Sequence, residues 1–173
     1  PQLEPAGGLH SENTQVTITA EGDNAQIRYT LDGSIPTLEN STLYTDPIDI
    51  TATSVLRARC FTAGLQPSDI ATATYVLKTY YTLPVVCLTT DPDELWNPER
   101  GMYATGPGID LKQYPHIPFS RPTPTYRAFG KIQRPGYAEM FDQDTGATVF
   151  SQGVTFGLIG QYSLDMPQKS FKV

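Results

Sequence analysis

The sequence predicts a mainly β chain: an immunoglobulin-like β-sandwich followed by a second β-rich, hairpin-containing domain. Three observations predict it. The 173 residues include 15 Pro and 14 Gly, a composition that disfavours helix. Several segments alternate apolar and polar residues with a period of two, as a half-buried strand does. Turn-forming residues separate those segments at intervals of roughly 8–12 residues, the spacing of small sandwiches.

The elements follow in order. Gln15–Ala20 alternates cleanly, and Ile27, Tyr29 and Leu31 repeat the pattern before the turn Asp32-Gly33-Ser34. Pro36-Thr37 holds the next stretch extended, leading to Leu43-Tyr44 and Ile48-Asp49-Ile50. Val55–Phe61 sets Leu56, Ala58 and Cys60 on one face and Arg57 and Arg59 on the other. A Gly64/Pro67 turn then gives way to Ala71–Leu77. Within this part Asp32 is expected to cap its turn rather than ligate calcium. Tyr29 and Tyr44 are expected in the core or at its rim rather than as a sugar platform.

The texture changes near residues 78–82, where a domain boundary is expected, giving domains 1–78 and 82–173. Residues 1–78 hold 4 basic and 9 acidic side chains, and residues 79–173 hold 8 and 9. In the second part, Leu83–Thr90 is an apolar run that reads as a buried strand. Asp91–Trp96 reads as one helical turn with Pro92 in its first position and acidic side chains at its positive end. Gly101-Met102-Tyr103 reads as a short strand, and the proline-rich stretch 105–127 as a long irregular excursion. Tyr137–Phe141 and Thr148–Gln152 flank Asp142–Gly146 as a hairpin. Val154–Ile159 and Lys169–Val173 make the last strand pair.

Two stretches resemble known families. Ile27–Thr37, followed by Leu43-Tyr44, Pro47-Ile48, Leu56-Arg57-Ala58 and Ala73-Thr74-Tyr75, resembles the chitobiase/β-hexosaminidase C-terminal domain, related to the fibronectin type III-associated modules. That resemblance covers about 1–78 and implies a non-catalytic β-sandwich of extracellular proteins, many of which act on glycans. The pieces LPVVCLTTDPDELW (83–96), RGMYATG (100–106), YAEMFDQDTGATVFSQGVTFGLIGQ (137–161) and PQKSFKV (167–173) resemble, in order, the start of the spore-coat protein H (CotH) kinase family. This second resemblance implies an atypical protein kinase that transfers phosphate from ATP to Ser on secreted or coat proteins.

Phosphoryl transfer needs a phosphate cradle, a cation on the phosphates, acidic metal ligands and a residue to take the hydroxyl proton. Gly153, Gly157 and Gly160 let a backbone come close to phosphates, and Lys169 follows on the next strand. Gly157, Gly160 and Lys169 are therefore the candidate cofactor-binding residues, with an edge Lys as the competing reading of Lys169. No catalytic residue and no metal ligand is assigned, and no cofactor is expected in this piece. ATP and Mg²⁺ belong to the full-length parent that the second resemblance implies.

Other chemistries fit poorly. His10 and His116 have no Cys nearby and lack zinc spacing. No GxSxG elbow occurs for a serine hydrolase. Asp142–Gly146 begins like a calcium loop, but its Gly comes one position early and the twelfth position is Gly153 rather than Glu, so a turn is favoured. The net charge of -6 argues against nucleic acid, and Arg100, Arg121, Arg127 and Arg134 form no basic cluster. No apolar run approaches the roughly 20 residues of a membrane span. No charged leader opens the chain, so any export signal is expected outside it. Cys60 and Cys87 read as two buried thiols, with a disulfide between them as the alternative. Asn40-Ser41-Thr42 matches a glycosylation sequon.

The functional expectation is a non-catalytic N-terminal fragment of a secreted or cell-surface CotH-type kinase-like protein of bacterial origin, carrying a sandwich accessory module. Its partners would be the rest of the parent polypeptide and a coat protein, cell-surface protein or glycan, and its setting extracellular, at the cell surface or in the spore coat. The alternative is a structural or carbohydrate-adhering module pair.

Overall fold

The computed structural model describes residues 1–22, 25–77, 80–106, 125–126, 131–160, 163–165 and 168–173. Lys78 and Thr79 of the expected boundary, most of the expected excursion, His116, Arg121, Arg127 and Pro167 lie outside the described residues. The described chain is mainly β and separates into two compact units: Pro1–Thr89 with Tyr137–Gln152, and Thr90–Gly136 with Gly153–Val173.

The first unit contains the sandwich. One sheet is β1 (Gln2–Glu4), β3 (Thr14–Thr19) and β6 (Ile48–Ile50), in the order β1-β3-β6. The other combines β2 (Gly8–His10), β4 (Gln26–Thr30), β5 (Thr42–Leu43), β7 (Ser54–Phe61) and β8 (Ala71–Leu77), in the order β2-β8-β7-β4-β5. All of these pairs are antiparallel except β2 with β8, where Gly8 pairs with Tyr75 and His10 with Leu77. The alternation read in the sequence fills the core. Val16, Ile18, Ile48, Ile50, Leu56, Ala58, Ala73, Tyr75 and Leu77 are buried, and Leu3, Ile27, Tyr29 and Tyr44 pack against them. Tyr29 and Tyr44 meet edge to face at 6.5 Å, so they close the rim of this core.

Arg57, on the face of β7 opposite Leu56 and Ala58, is buried. β7 is the middle strand of five, and Arg57 lies between Thr30 on β4 and Thr72 on β8. Arg59 reaches further out and donates from Nε to the Ser68 carbonyl at 2.6 Å. Asp32 caps its turn as expected: its Oδ1 accepts from the Ser34 backbone N–H at 3.0 Å and from the Ser34 hydroxyl at 2.6 Å. The Ser34 hydroxyl, before the backbone bond, holds the Asp32 carboxyl below the usual carboxylate range. The Asn40 side chain is spent on its own loop, accepting from Thr37 N–H and donating to the Ile35 carbonyl.

The same unit includes β9 (Val85–Thr89) and the hairpin portion of β10 (Arg134–Phe141) and β11 (Thr148–Ile159). β9 pairs antiparallel with β10, Thr89 opposite Tyr137 and Val85 opposite Phe141. The expected buried strand is instead an edge strand. With one strand neighbour among the described residues, β9 alternates, and Val86 and Leu88 are exposed. The turn between β10 and β11 is built on Asp142, whose Oδ1 accepts from Asp144 N–H, Thr145 N–H and the Thr145 hydroxyl. Those bonds, the Thr145 backbone bond foremost, hold its carboxyl below the usual range. The carboxylate is thus occupied by its own turn.

In the second unit, α1 (Pro92–Trp96) starts as expected: Asp91 caps it, accepting from Asp93 N–H at 2.8 Å, and Pro92 follows at once. Gly101–Tyr103 is no strand. The chain folds back on α1, with Met102 N–H bonded to the Glu94 carbonyl and Tyr103 N–H to that of Leu95. Gly101 sits so close to Leu95 and Asn97 that a Cβ would lie 2.5 Å from the Leu95 carbonyl oxygen. Arg100 pairs with Asp93 and Glu94, and Arg134 with Glu94 at 3.1 Å. β11 runs unbroken through Gly153 where two strands were expected, and its far end pairs with β12 (Ser170–Lys172). Met102, Tyr126, Phe156, Leu158 and Leu164 form this unit's core, flanked by Leu95, Tyr103, Val154 and Phe171.

Candidate functional site

The glycine–lysine set lies in the second unit. Gly157 is buried in the ladder of β11 opposite Lys172, between the core side chains Phe156 and Leu158. Gly160 follows the end of β11, exposed, with φ of 106°, a conformation that favours glycine. The last register pair is Ile159 with Ser170, so Gly160 and Lys169 each lie one residue beyond it on adjoining chain segments. Lys169 donates from Nζ to the Leu164 carbonyl at 2.5 Å and lies over the Tyr126 ring, 4.2 Å from its centroid, and the Tyr103 ring at 5.4 Å. The Tyr126 hydroxyl bonds Asp165 Oδ1 at 3.0 Å, and Tyr103 stacks between Trp96 and Phe171. Lys169 is thus an ammonium held on two aromatic faces. An incoming phosphate would compete with the Leu164 carbonyl for it. Among the described residues no group of three His, Cys, Asp or Glu side chains is placed to hold a metal ion.

The sequence reading passed over a second cluster, in the first unit. Glu139 on β10 is 2% exposed and directs its carboxyl at Thr74 on β8. Thr74 donates from its hydroxyl to Oε2 at 2.5 Å and from its backbone N–H to Oε1 at 3.2 Å. Burial pushes the Glu139 carboxyl above its ordinary value, and the Thr74 bonds oppose that rise without cancelling it. Its neighbours respond: burial first, and then the Glu139 carboxyl, push up both the Cys87 thiol and the Tyr75 phenol. Two further bonds join the β2 region to the β10–β11 hairpin, one between backbones and one from a side-chain hydroxyl. Leu9 N–H bonds the Gly146 carbonyl at 3.0 Å, and the Thr148 hydroxyl bonds the Gly7 carbonyl at 2.9 Å. A cleft of about 300 Å³ opens beside Glu139, lined among others by Leu3, Gly7, Thr72, Tyr137, Thr148 and Ser151. One signal for this site was present in the sequence: Glu139 shares its strand face with Phe141, which is wholly buried. Both cysteines are free thiols, Cys60 opposite Ile27 and Cys87 opposite Glu139.

Residues 5–74 match the family model of the chitobiase/beta-hexosaminidase C-terminal domain. No curated protein and no solved structure matches the chain. The family match begins just after β1, ends within β8 and stops before β9. The likeness of residues 82–173 to the CotH family therefore rests on its motifs alone.

Proposed function

We propose that this chain is the non-catalytic N-terminal portion of a secreted or cell-surface CotH-type kinase-like protein, with a sandwich module at 1–78 serving as the support for a kinase-like region that starts near residue 82. The supporting observation is the buried bond pair between Glu139 and Thr74. It fastens β10 of the β10–β11 hairpin to the sandwich, and the hairpin's second strand, β11, carries Gly157 and ends one residue before Gly160. An accessory module that only trailed from a linker would need no buried carboxylate at this junction. In this reading Lys169 pairs with phosphate in the parent protein and Gly160 lies beside it, while ATP with Mg²⁺ supplies the transferable phosphoryl group. The partners are then the remainder of the polypeptide and a coat or surface protein.

The test is a Mg-ATP titration followed by amide chemical shifts, on this chain and on a version extended by its natural C-terminal sequence. Saturable shifts at Gly160 and Lys169 in the extended chain are expected, and Lys169→Met should abolish them. Lys169→Met should also cost about 1–2 kcal/mol of stability through the lost ring contacts and carbonyl bond. An extended chain that folds yet shows no ATP-dependent shift overturns the kinase-like reading, whatever the sandwich does.

A further inference from the structure

On the face of the five-stranded sheet opposite the core side chains Leu56 and Ala58, Arg28 on β4 stands directly across from Arg59 on β7. Arg57, two residues before Arg59, shares that face, so three of the four basic residues of 1–78 gather there. Like charges directly opposite on neighbouring strands are destabilising. Among the described residues no carboxylate pairs with either member of the facing pair. Arg28 donates from Nη1 to the Ser41 carbonyl at 2.8 Å, and Arg59 from Nε to that of Ser68 at 2.6 Å. Beside Arg59 a cleft of about 670 Å³ opens within the first unit, lined among others by Gln26, Leu38, Phe61, Leu65 and Pro67.

Each feature narrows the ligand. A guanidinium has donors only, and Arg59 spends Nε on its own loop, so its two Nη groups are the donors left for a ligand. Paired, coplanar N–H groups match a carboxylate, which takes two bonds side by side. Much of the remaining lining is apolar, and Leu38 and Leu65 are 51% and 70% exposed, so apolar surface is left uncovered on both walls. A ligand that is charge alone leaves that surface wet, and one that is apolar throughout strands the Arg59 donors. Glu39 also lines the cleft, on an exposed side chain, and works against a second negative charge on the ligand. An apolar group bearing a single carboxylate satisfies all of these at once.

Both walls are ordered by their own bonds. On the side of the β4–β5 connection, Thr37 N–H donates to Asn40 Oδ1 at 2.8 Å and Asn40 Nδ2 to the Ile35 carbonyl at 3.1 Å. On the side of the β7–β8 connection, Leu65 N–H bonds the Thr62 carbonyl at 3.1 Å, and Gly64 takes the φ of 77° that this turn requires. Ser68, which holds the Arg59 Nε, is itself tied through its N–H to the Cys60 carbonyl at 3.0 Å. The guanidinium and the walls are therefore held before any ligand arrives, which lowers the ordering cost of binding.

We infer that the cleft beside Arg59 binds a ligand made of an apolar group and a single carboxylate, the carboxylate on the Arg59 Nη groups and the apolar part against Leu38, Phe61 and Leu65. The inference is independent of the kinase-like reading and survives its failure. Two sources share this chemistry: a free aliphatic acid, and the C-terminal residue of a peptide that ends in leucine. The test is titration of the whole chain with hexanoate and with acetyl-Gly-Gly-Leu, each followed by amide chemical shifts, and the tighter of the two names the source. Hexanamide, acetate and adipate are the comparisons, lacking the charge, lacking the apolar chain and carrying a second charge. Saturable shifts at Gln26, Leu38, Phe61 and Leu65 are expected with at least one of the two ligands, and weaker binding with every comparison. Arg59→Gln, which keeps a donor for the Ser68 carbonyl, should weaken binding about tenfold or more. Leu65→Ala, at an exposed position, should leave the fold intact and weaken binding about threefold. No saturable shift with either ligand, shifts mapping elsewhere, a comparison that binds as well as the ligands, or binding unchanged in Arg59→Gln overturns the assignment.

Discussion

Glu139 offers the sharpest test of the first unit's architecture, because its carboxyl is both a structural tie and a titrating group. Replacing it with Ala removes the acceptor for two buried donors, Thr74 N–H and the Thr74 hydroxyl. Each stranded donor costs about 1–3 kcal/mol, and the lost side-chain volume adds to that. A loss of about 3–5 kcal/mol is expected, a large share of the roughly 5–15 kcal/mol by which domains are stable. Glu139→Gln behaves differently. Its amide oxygen can still accept from Thr74 N–H and its amide nitrogen can donate to the Thr74 oxygen, so the cost should stay below about 1.5 kcal/mol. The two variants separate further with pH. The native carboxyl titrates above its ordinary value of 4.5 because burial disfavours the charge. Below pH 4.5 both native and unfolded forms are protonated and the contribution is complete. As pH rises from there through the raised native value, the unfolded chain ionises first and stability falls. Cys87 and Tyr75 face the same carboxyl, but both are pushed upward and stay neutral across this window. Asp32 and Asp142, with lowered values, impose the opposite slope at more acid pH, so the difference between wild type and Glu139→Gln isolates Glu139. Urea denaturation followed by circular dichroism at closely spaced pH values measures it. A wild-type stability that does not fall relative to Glu139→Gln on going from pH 4.5 to neutrality refutes the buried-charge argument.

Three further outcomes are expected. Gly146→Ala should destabilise by about 2–4 kcal/mol, since it combines a left-handed backbone with a 2.5 Å approach to the Leu9 carbonyl. Gly153→Ala, with nothing within 4 Å of its added Cβ, should be neutral or stabilising by up to about 1 kcal/mol, and equal losses in thermal melts would contradict the geometry. Alkylation of the unfolded, unreduced chain followed by mass measurement should label both Cys60 and Cys87, and an unlabelled pair would mean that they are bridged.

The sandwich was legible because its strands are amphipathic and local. Val16/Ile18, Leu56/Ala58 and Ile48/Ile50 show their buried face through alternation, and Asp32-Gly33-Ser34 shows its turn through chemistry contained in three residues. Errors arose where a residue's surroundings come from distant chain. Arg57 falls on the face of β7 opposite Leu56 and Ala58, and nothing local shows that this face is covered too, yet Arg57 is buried. Leu83–Thr90 looks buried by composition, yet among the described residues β9 has a strand on one side. β1 and β2 are three residues each, too short for any period to show, and β2 is held by parallel pairing with β8.

The same reasoning explains why the most constrained side chain of the hairpin went unread as a site. Within Tyr137–Phe141 a single acidic residue is ordinary on a strand face, and nothing local reveals a partner. Thr74 is 65 residues away, inside a segment whose own alternation is complete without it. A carboxylate is tolerated at such depth only where donors meet both of its oxygens. Thr74 does so with one backbone and one hydroxyl donor, a geometry that requires β8 and β10 to have been brought together first. Glu139 therefore reports on tertiary structure rather than on strand formation. A hairpin excised from the chain should keep its Asp142 turn, which is satisfied locally, and should return the Glu139 carboxyl to solvent and to its ordinary titration range.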